Sequence, residues 1–466
     1  MNLTELLDSS ARRWPRKTAF VEDTAEISYA ALVEKMNSFA EKLKSLDLPP
    51  GSRVGLCFTN CVNYVALTYA FWKINAIVVP VPTECPPEEL NEIAATMELA
   101  AILSQKPLAQ SEPLAPEIFF TRLKLAAPPD NHGLNIAFIR FTSGTTNARK
   151  GVVLCHETIR DRVLTANKAF RITENDTVIW CLPMAHHFLI TIVLYLNVGA
   201  TVVLAPHVTA KPFLEAVNHW RGTILYAAPF HFSLLARDQS GAQIQNVRLA
   251  VSTTCSLPQE VAQEFFKRFG KPLVPALGII ELGLVALNTE DPLNRWNSVG
   301  KIATDFQVKI LSPVEHGVGE VAVAGPGICD AYAAPWQPRE QILRDGWFVT
   351  GDLGRFDADG FLFLLSRTTA VINLAGRKVF PEEIEAVLNR HPSIRESRVF
   401  GRVHPHLGEV VEAEIVLSAE NASIENLSHF CREHLASYKI PTRFHVVREL
   451  PRTPVTGKIR RVAATA

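Results

Sequence analysis

Apolar residues in the first three quarters of the chain form short runs, separated by stretches in which they recur every three or four positions. A helical pattern over residues 29–46 precedes the run Arg53-Val54-Gly55-Leu56-Cys57, and a second helical pattern over 61–75 precedes Ala76-Ile77-Val78-Val79-Pro80. Parallel strands joined by crossover helices give this alternation. It continues through the runs at 223–226, 247–251 and 272–275, so the predicted fold class is α/β, with a large N-terminal domain of doubly wound sheets. Between residues 317 and 365 the pattern shortens to Glu320-Val321-Ala322-Val323, Trp347-Phe348-Val349 and Phe361-Leu362-Phe363-Leu364-Leu365, divided by Gly and Pro. That predicts a distorted antiparallel β subdomain. A compact α+β pattern follows Arg367, with strands over 370–373 and 411–416 and helices over 381–390 and 424–435, the first opened by Pro381-Glu382-Glu383. The expected division is a large domain over 1–367 and a small C-terminal domain over 368–466.

The uncharged stretch 188–205 is nearly long enough to cross a bilayer, but Asn197-Val198-Gly199 interrupts it. A buried helix over 188–196, a turn and the strand Thr201-Val202-Val203-Leu204 are predicted there, with no membrane span. The first residues alternate polar and apolar and give no signal-peptide core, so the expected location is cytoplasmic.

Composition narrows the function. A length of 466 residues exceeds what one core usually supports, and 47% apolar with 20% charged residues is ordinary for a globular protein. The 47 basic and 47 acidic residues cancel, which leaves no net field to hold nucleic acid and points to a small-molecule substrate. The eight cysteines lack paired spacing and are expected to be reduced core residues.

The loop Phe141-Thr142-Ser143-Gly144-Thr145-Thr146-Asn147-Ala148-Arg149-Lys150-Gly151 lies between apolar runs and is rich in hydroxyls and glycine. Backbone N–H and hydroxyl donors in such a loop can wrap phosphate oxygens while Lys150 supplies charge. It is not a Walker loop, and alone such a segment is more often only a loop. Four further stretches accompany it in order: Leu182-Pro183-Met184-Ala185-His186, Leu277-Gly278-Ile279-Ile280-Glu281, Thr350-Gly351-Asp352-Leu353, and Ser366-Arg367 through Gly376 with Pro381, Glu383, Ile384 and Glu385. A terminal loop from Pro451-Arg452-Thr453 to Gly457-Lys458-Ile459 completes the series.

Together these motifs resemble those of the adenylate-forming superfamily of acyl-CoA synthetases, aryl-acid ligases, adenylation domains and luciferases, over essentially the whole chain. The resemblance implies activation of a carboxylic acid by ATP to an acyl-adenylate, followed by transfer to a thiol. It also implies a mobile C-terminal lid that turns after adenylation. Residues Thr142, Ser143, Gly144, Thr145 and Thr146 would then hold the phosphates with Lys150 and Gly278. Glu281 and Thr145 would bind magnesium, and Asp352 and Arg367 would contact the ribose. Lys458 would bridge carboxylate and α-phosphate, and Gly376 would line the thiol tunnel. The acid pocket would be walled by His186, Phe230, Thr253, Thr254, Cys255, Gly278 and Leu282, which suits an aryl or modest aliphatic acid.

Each assignment has a physical reason. An anionic acid must approach an anionic phosphate, so cations must offset the repulsion. Glu281 sits in an apolar run where an unpaired carboxylate would be costly, which favours a bound cation. His186-His187 and His404-Pro405-His406 lack Cys or carboxylate partners at metal spacing; the first borders the acid pocket by resemblance, and the second reads as surface loop.

Departures from the family pattern are Asn147 for glycine, Arg149 for proline, Ile280 for the threonine before the metal glutamate, Thr369-Ala370 at the hinge, and an extra residue at Val455. The thiol is expected to be coenzyme A, with the phosphopantetheine of a carrier protein as the alternative. A degraded adenylate-binding protein without turnover is the alternative from another class. No aspartate follows Pro183-Met184-Ala185, which disfavours an α-amino acid.

Overall fold

A computed structural model describes residues 1–124, 129–141, 150–205, 209–374, 377–404, 408–419, 424, 426–452 and 459. Its contacts separate the described residues within 1–142, 149–307 and 324–348 from those within 308–323 and 349–466.

In the first unit the helix Val62–Lys73 is apolar on every side, and all but two of its residues are buried, as such a helix requires. Among the described residues two nine-stranded sheets make up the rest of the frame. The first has a parallel centre of Thr18–Glu22, Thr201–Leu204, Thr177–Trp180, Ile224–Ala227, Leu249–Ser252 and Leu273–Ile279. Its edges are antiparallel: Ala25–Ser28 on one side, and Gly283–Leu287 with Lys301–Ile302 on the other. The second has a parallel centre of Leu99–Ser104, Arg53–Cys57, Ile77–Pro80 and Ile136–Phe141. There too the outer strands are antiparallel, including Gly151–Cys155 against Ile136–Phe141. The α/β expectation holds, but both sheets are mixed, because hairpin neighbours need no crossover helix. Phe232, Phe265, Leu214 and Val217, from three helices, pack on Ile179, Val203, Leu225 and Ala250 of the first sheet. Each such side chain contributes about 1.5–3 kcal/mol through burial.

The expected helix over 188–196 is different. An α-turn Met184–His187 runs into a π-helix Phe188–Ile192 and then an α-helix Val193–Asn197. The Thr191 hydroxyl donates to the His187 carbonyl and competes with the backbone for it, and π-turns concentrate at functional sites. No helix among the described residues is long and apolar enough to cross a membrane. The cysteines are all unbridged, but only Cys61, Cys155, Cys329 and Cys431 are buried, and Cys255 is exposed.

In the second unit an antiparallel sheet orders Gln307–Leu311, Gly319–Ala324, Phe348–Phe356 and Leu362–Arg367. The Thr350-Gly351-Asp352 segment lies within the strand Phe348–Phe356. A five-stranded sheet follows, covered by the helices Pro381–Leu388 and Leu427–His434, whose Ile384, Leu388, Leu427 and Cys431 pack on Val399, Val411 and Ala413.

Asp176 ties three strands of the first sheet. Its carboxylate accepts from Arg248 Nε and Nη2, both at 2.8 Å, from Thr223 Oγ1 at 2.7 Å and from the Thr173 N–H at 2.9 Å. Burial alone would raise its pKa, but these donors outweigh it and hold it below the ordinary 3.8. The stability it contributes is therefore complete above 3.8 and is lost as pH falls through the lower folded value. Asp176→Ala should cost about 2–3 kcal/mol near neutral pH by urea denaturation, and its gap from the parent protein should narrow as the pH drops below that point.

Candidate active site

The strand Ile136–Phe141 leads into the expected phosphate loop. Thr142, Ser143, Gly144, Thr145, Thr146, Asn147 and Arg149 lie outside the described residues, as do Gly376, Val455 and Lys458. Lys150, at the far end of that loop, places its ammonium 4.7 Å from the centre of the Tyr332 ring. The Tyr332 hydroxyl donates to Glu281 Oε1 at 3.1 Å. Burial, then the neighbouring Glu281 carboxylate, raises the Tyr332 pKa, so the phenol stays a proton donor. Tyr332 thus joins Lys150 to Glu281, two residues far apart in sequence.

Glu281 lies in the turn between the strands Leu273–Ile279 and Gly283–Leu287, closed by the Leu282 N–H to the Ile279 carbonyl at 3.0 Å. Its side chain is half-buried and has a phenolic donor, so it is not the unpaired buried carboxylate that the apolar run suggested. Its backbone is held firmly. Arg162 donates from Nη2 to the Glu281 carbonyl at 2.7 Å, from Nη1 to the Ile280 carbonyl at 2.8 Å and from Nε to the Gly327 carbonyl at 2.6 Å. The Cys329 N–H adds a second donor to the Glu281 carbonyl at 2.7 Å. Burial lowers the Arg162 pKa to about 10, which leaves it charged at neutral pH. Gly327 has φ +75°, and a Cβ there would stand 2.6 Å from Arg162 Cγ, so this close approach requires glycine.

Leu282 is buried and Gly278 exposed at the same turn. His186 and His187 are half-buried just before the π-helix; His187 lies 6.2 Å from Tyr226 and 6.4 Å from Trp180, centre to centre. Buried Thr253 is hydrogen-bonded to Tyr226, while Cys255 is exposed. Thr254 has φ +77°, a region a β-branched residue enters only under strain of about 1–3 kcal/mol. Threonine thus keeps a backbone shape that suits glycine while adding bulk. Phe230 is 58% exposed.

In the other unit, Asp352 and Arg367 are register partners across the strands Phe348–Phe356 and Leu362–Arg367. Their Oδ1 and Nε atoms are 2.6 Å apart, and Arg367 Nη1 donates to the Thr350 carbonyl at 3.0 Å. The hairpin thus pairs residues from two separate motifs. Thr369 and Ala370, at the expected hinge, fall in the 3-10 turn Thr368–Ala370.

The AMP-binding enzyme family matches residues 7–333, and the AMP-binding enzyme C-terminal domain matches 383–458. The chain belongs to the AMP-binding enzyme family. Relatives of this AMP-binding enzyme include the 2-succinylbenzoate–CoA ligase of Bacillus licheniformis, 29% identical over 96% of both chains. Another is the oxalate–CoA ligase of Arabidopsis thaliana, 27% identical over 98% of this chain and 97% of the relative. The ATP- and magnesium-bound o-succinylbenzoate coenzyme A synthetase of Bacillus subtilis is 24% identical with a TM-score of 0.86 over 98% of each chain, a likeness of fold.

The donor set fits magnesium in an AMP-binding enzyme. That ion takes one or two protein carboxylates and completes its shell with phosphate oxygens and water, and Glu281 offers one half-buried carboxylate. Among the described residues no cluster of three or more His, Cys, Asp or Glu side chains offers a closed metal cage. Sequence reading missed Tyr332 and Arg162. A signal existed for Arg162, since it shares the buried face of the helix His156–Phe170 with Ile159, Val163 and Ala166. Arg162→Met should raise the magnesium concentration that half-saturates ATP binding by about tenfold, as the Glu281 turn loses its clamp. Calorimetry across a magnesium series measures this, and an unchanged magnesium dependence beside a lowered melting temperature would assign Arg162 to folding alone.

Proposed function

We propose that this AMP-binding enzyme is an AMP-forming acid–thiol ligase. It activates an aryl or modest aliphatic carboxylic acid with ATP, releases pyrophosphate and passes the acyl group to coenzyme A. The observation that carries the proposal is Glu281, a half-buried carboxylate held from behind by Arg162 and joined through Tyr332 to Lys150. That arrangement offers a metal-binding oxygen next to a fixed positive charge. The relatives support coenzyme A as the thiol, and two of them are named for an aryl acid and a short aliphatic acid.

Roles follow for the individual residues. Magnesium supplies charge that offsets phosphate repulsion. Glu281 would hold the ion together with the Thr145 hydroxyl, and Thr142, Ser143, Gly144, Thr146 and Lys150 would hold phosphate oxygens. Asp352 accepts from the ribose hydroxyls, and Arg367, 2.6 Å away, orients that carboxylate and contacts the sugar. His186, Thr253, Thr254, Cys255, Gly278, Leu282 and Phe230 shape the acid site, with Thr254 narrowing it. Gly376 borders the thiol's path. Lys458 brings its ammonium between carboxylate and α-phosphate during adenylation. The same proposal takes 1–367 as the ATP- and acid-binding domain and 368–466 as the lid, in a cytoplasmic protein.

The test is magnesium-dependent pyrophosphate release from ATP over a panel of acids, with and without coenzyme A. Lys458→Ala should lower that release by about a hundredfold or more with little change in acid affinity, because its charge acts mainly in the transition state. Thioester formation from supplied acyl-adenylate and coenzyme A should survive the substitution. ATP binding without release for any acid would favour the adenylate-binding protein without turnover. Equal loss of both half-reactions would remove Lys458 from its adenylation role.

A further inference from the structure

The strand Ile136–Phe141 carries an arginine, Arg140, immediately before the loop segment that starts at Phe141. Ile136 and Ile139 pack into the core formed with Ile77, Val79 and Val153. A register shift between Ile136 and Phe138 lets both isoleucines face that core, and alternation from Ile139 then sends Arg140 to the opposite face, toward Tyr64 and Tyr226. Burial lowers its pKa to about 10, so it remains a cation at neutral pH, and Glu281 is near enough to oppose that shift.

This cation has no ion-pair or hydrogen-bond partner among the described residues, and its Nε is sealed from solvent. Arg140 as a whole is only half-buried, so part of its guanidinium borders open space while the sealed Nε lacks the acceptor that would offset its desolvation. Its surroundings share the same imbalance. The Tyr64 hydroxyl and Trp180 Nε1 are also buried without partners, and the Trp180 ring stacks on Tyr226 at 5.7 Å. All three are donors that lack an acceptor. Tyr226 is in turn bonded to Thr253 and neighbours Arg140, which places Arg140 beside the residues assigned to the acid. The missing partner is therefore rich in acceptor oxygens and negatively charged.

We propose that Arg140 is a specificity-determining residue whose guanidinium receives a second carboxylate of the acid, distant from the one that is activated, so that dianionic acids are preferred over monocarboxylic acids of the same size. The inference rests on the ligase reading above and narrows its substrate class. The reacting carboxylate is the poorer candidate. A guanidinium locked onto it would stabilise the ground state and lose that interaction as the oxygen bonds to phosphorus. A distant carboxylate keeps its charge throughout, so holding it raises affinity without opposing the reaction.

The test compares matched acids, benzoate with terephthalate and butyrate with glutarate, by kcat/KM for pyrophosphate release in the full-length protein, Arg140→Met and Arg140→Lys. The parent protein should favour the diacid of at least one pair by about 10- to 100-fold, the range of a charged hydrogen-bonded pair. Arg140→Met should collapse that ratio toward one, chiefly through the KM of the diacid. Arg140→Lys should retain part of it. The melting temperature of Arg140→Met should stay near that of the parent protein, because no protein hydrogen bond is lost, whereas removal of a structural arginine would lower it. A parent protein that prefers the monoacids, or a variant that loses both acids equally, overturns the assignment while leaving the ligase reading intact. Absence of acid-dependent release from the parent with a wide panel of acids overturns both.

Discussion

The three hydrogen bonds of Arg162 are the constraint on which the site depends. One guanidinium takes the carbonyls of Ile280, Glu281 and Gly327 at 2.6–2.8 Å, and so fixes a turn of the first sheet to the segment that precedes Tyr332 in the second. Tyr332 then reaches back to the Glu281 carboxylate. Asp330 strengthens the same segment, accepting from the Cys155 N–H at 2.7 Å, Thr158 Oγ1 at 2.9 Å and Arg339 Nη2 at 2.6 Å. The carboxylate proposed to ligate magnesium benefits from a backbone that does not move, and here buried charge-assisted bonds supply that rigidity.

The chemistry sets the charge pattern. Joining an acid anion to a triphosphate requires positive charge near the reacting atoms and little freedom for water to screen it. Lys150 on the Tyr332 ring and Arg140 in the aromatic interior place cations around Glu281, while Asp352 and Arg367 form their own pair in the second unit. Thr254 is strained beside the proposed acid site, since a left-handed β-branched residue persists only where its surroundings impose it.

Much of this was legible in the sequence. The βαβ rhythm, the change to antiparallel strands and the C-terminal α+β pattern all follow local periodicity, which the chain shows clearly. Asp352 and Arg367 were legible as motifs, and strand pairing then set them opposite each other. The antiparallel strands within the two large sheets were not legible, because a buried apolar run does not reveal the direction of its neighbours. The π-turn at Phe188–Ile192 comes with a Thr191 hydroxyl bonded to the His187 carbonyl, a contact that the apolar pattern does not reveal. Arg162 and Tyr332 were missed for a related reason. Their roles come from tertiary contacts, and a single arginine in an apolar helical face looks like any other charge until its acceptors are in place.

The central claim is that the acid attacks the α-phosphate of ATP, and an isotope experiment tests it most directly. An acid labelled with oxygen-18 in its carboxylate is turned over with ATP, magnesium and coenzyme A, and the nucleotide product is examined by mass spectrometry. The account predicts AMP carrying one labelled oxygen from the acid, with unlabelled pyrophosphate. Label in inorganic phosphate beside ADP, or unlabelled AMP formed alongside thioester, would contradict it.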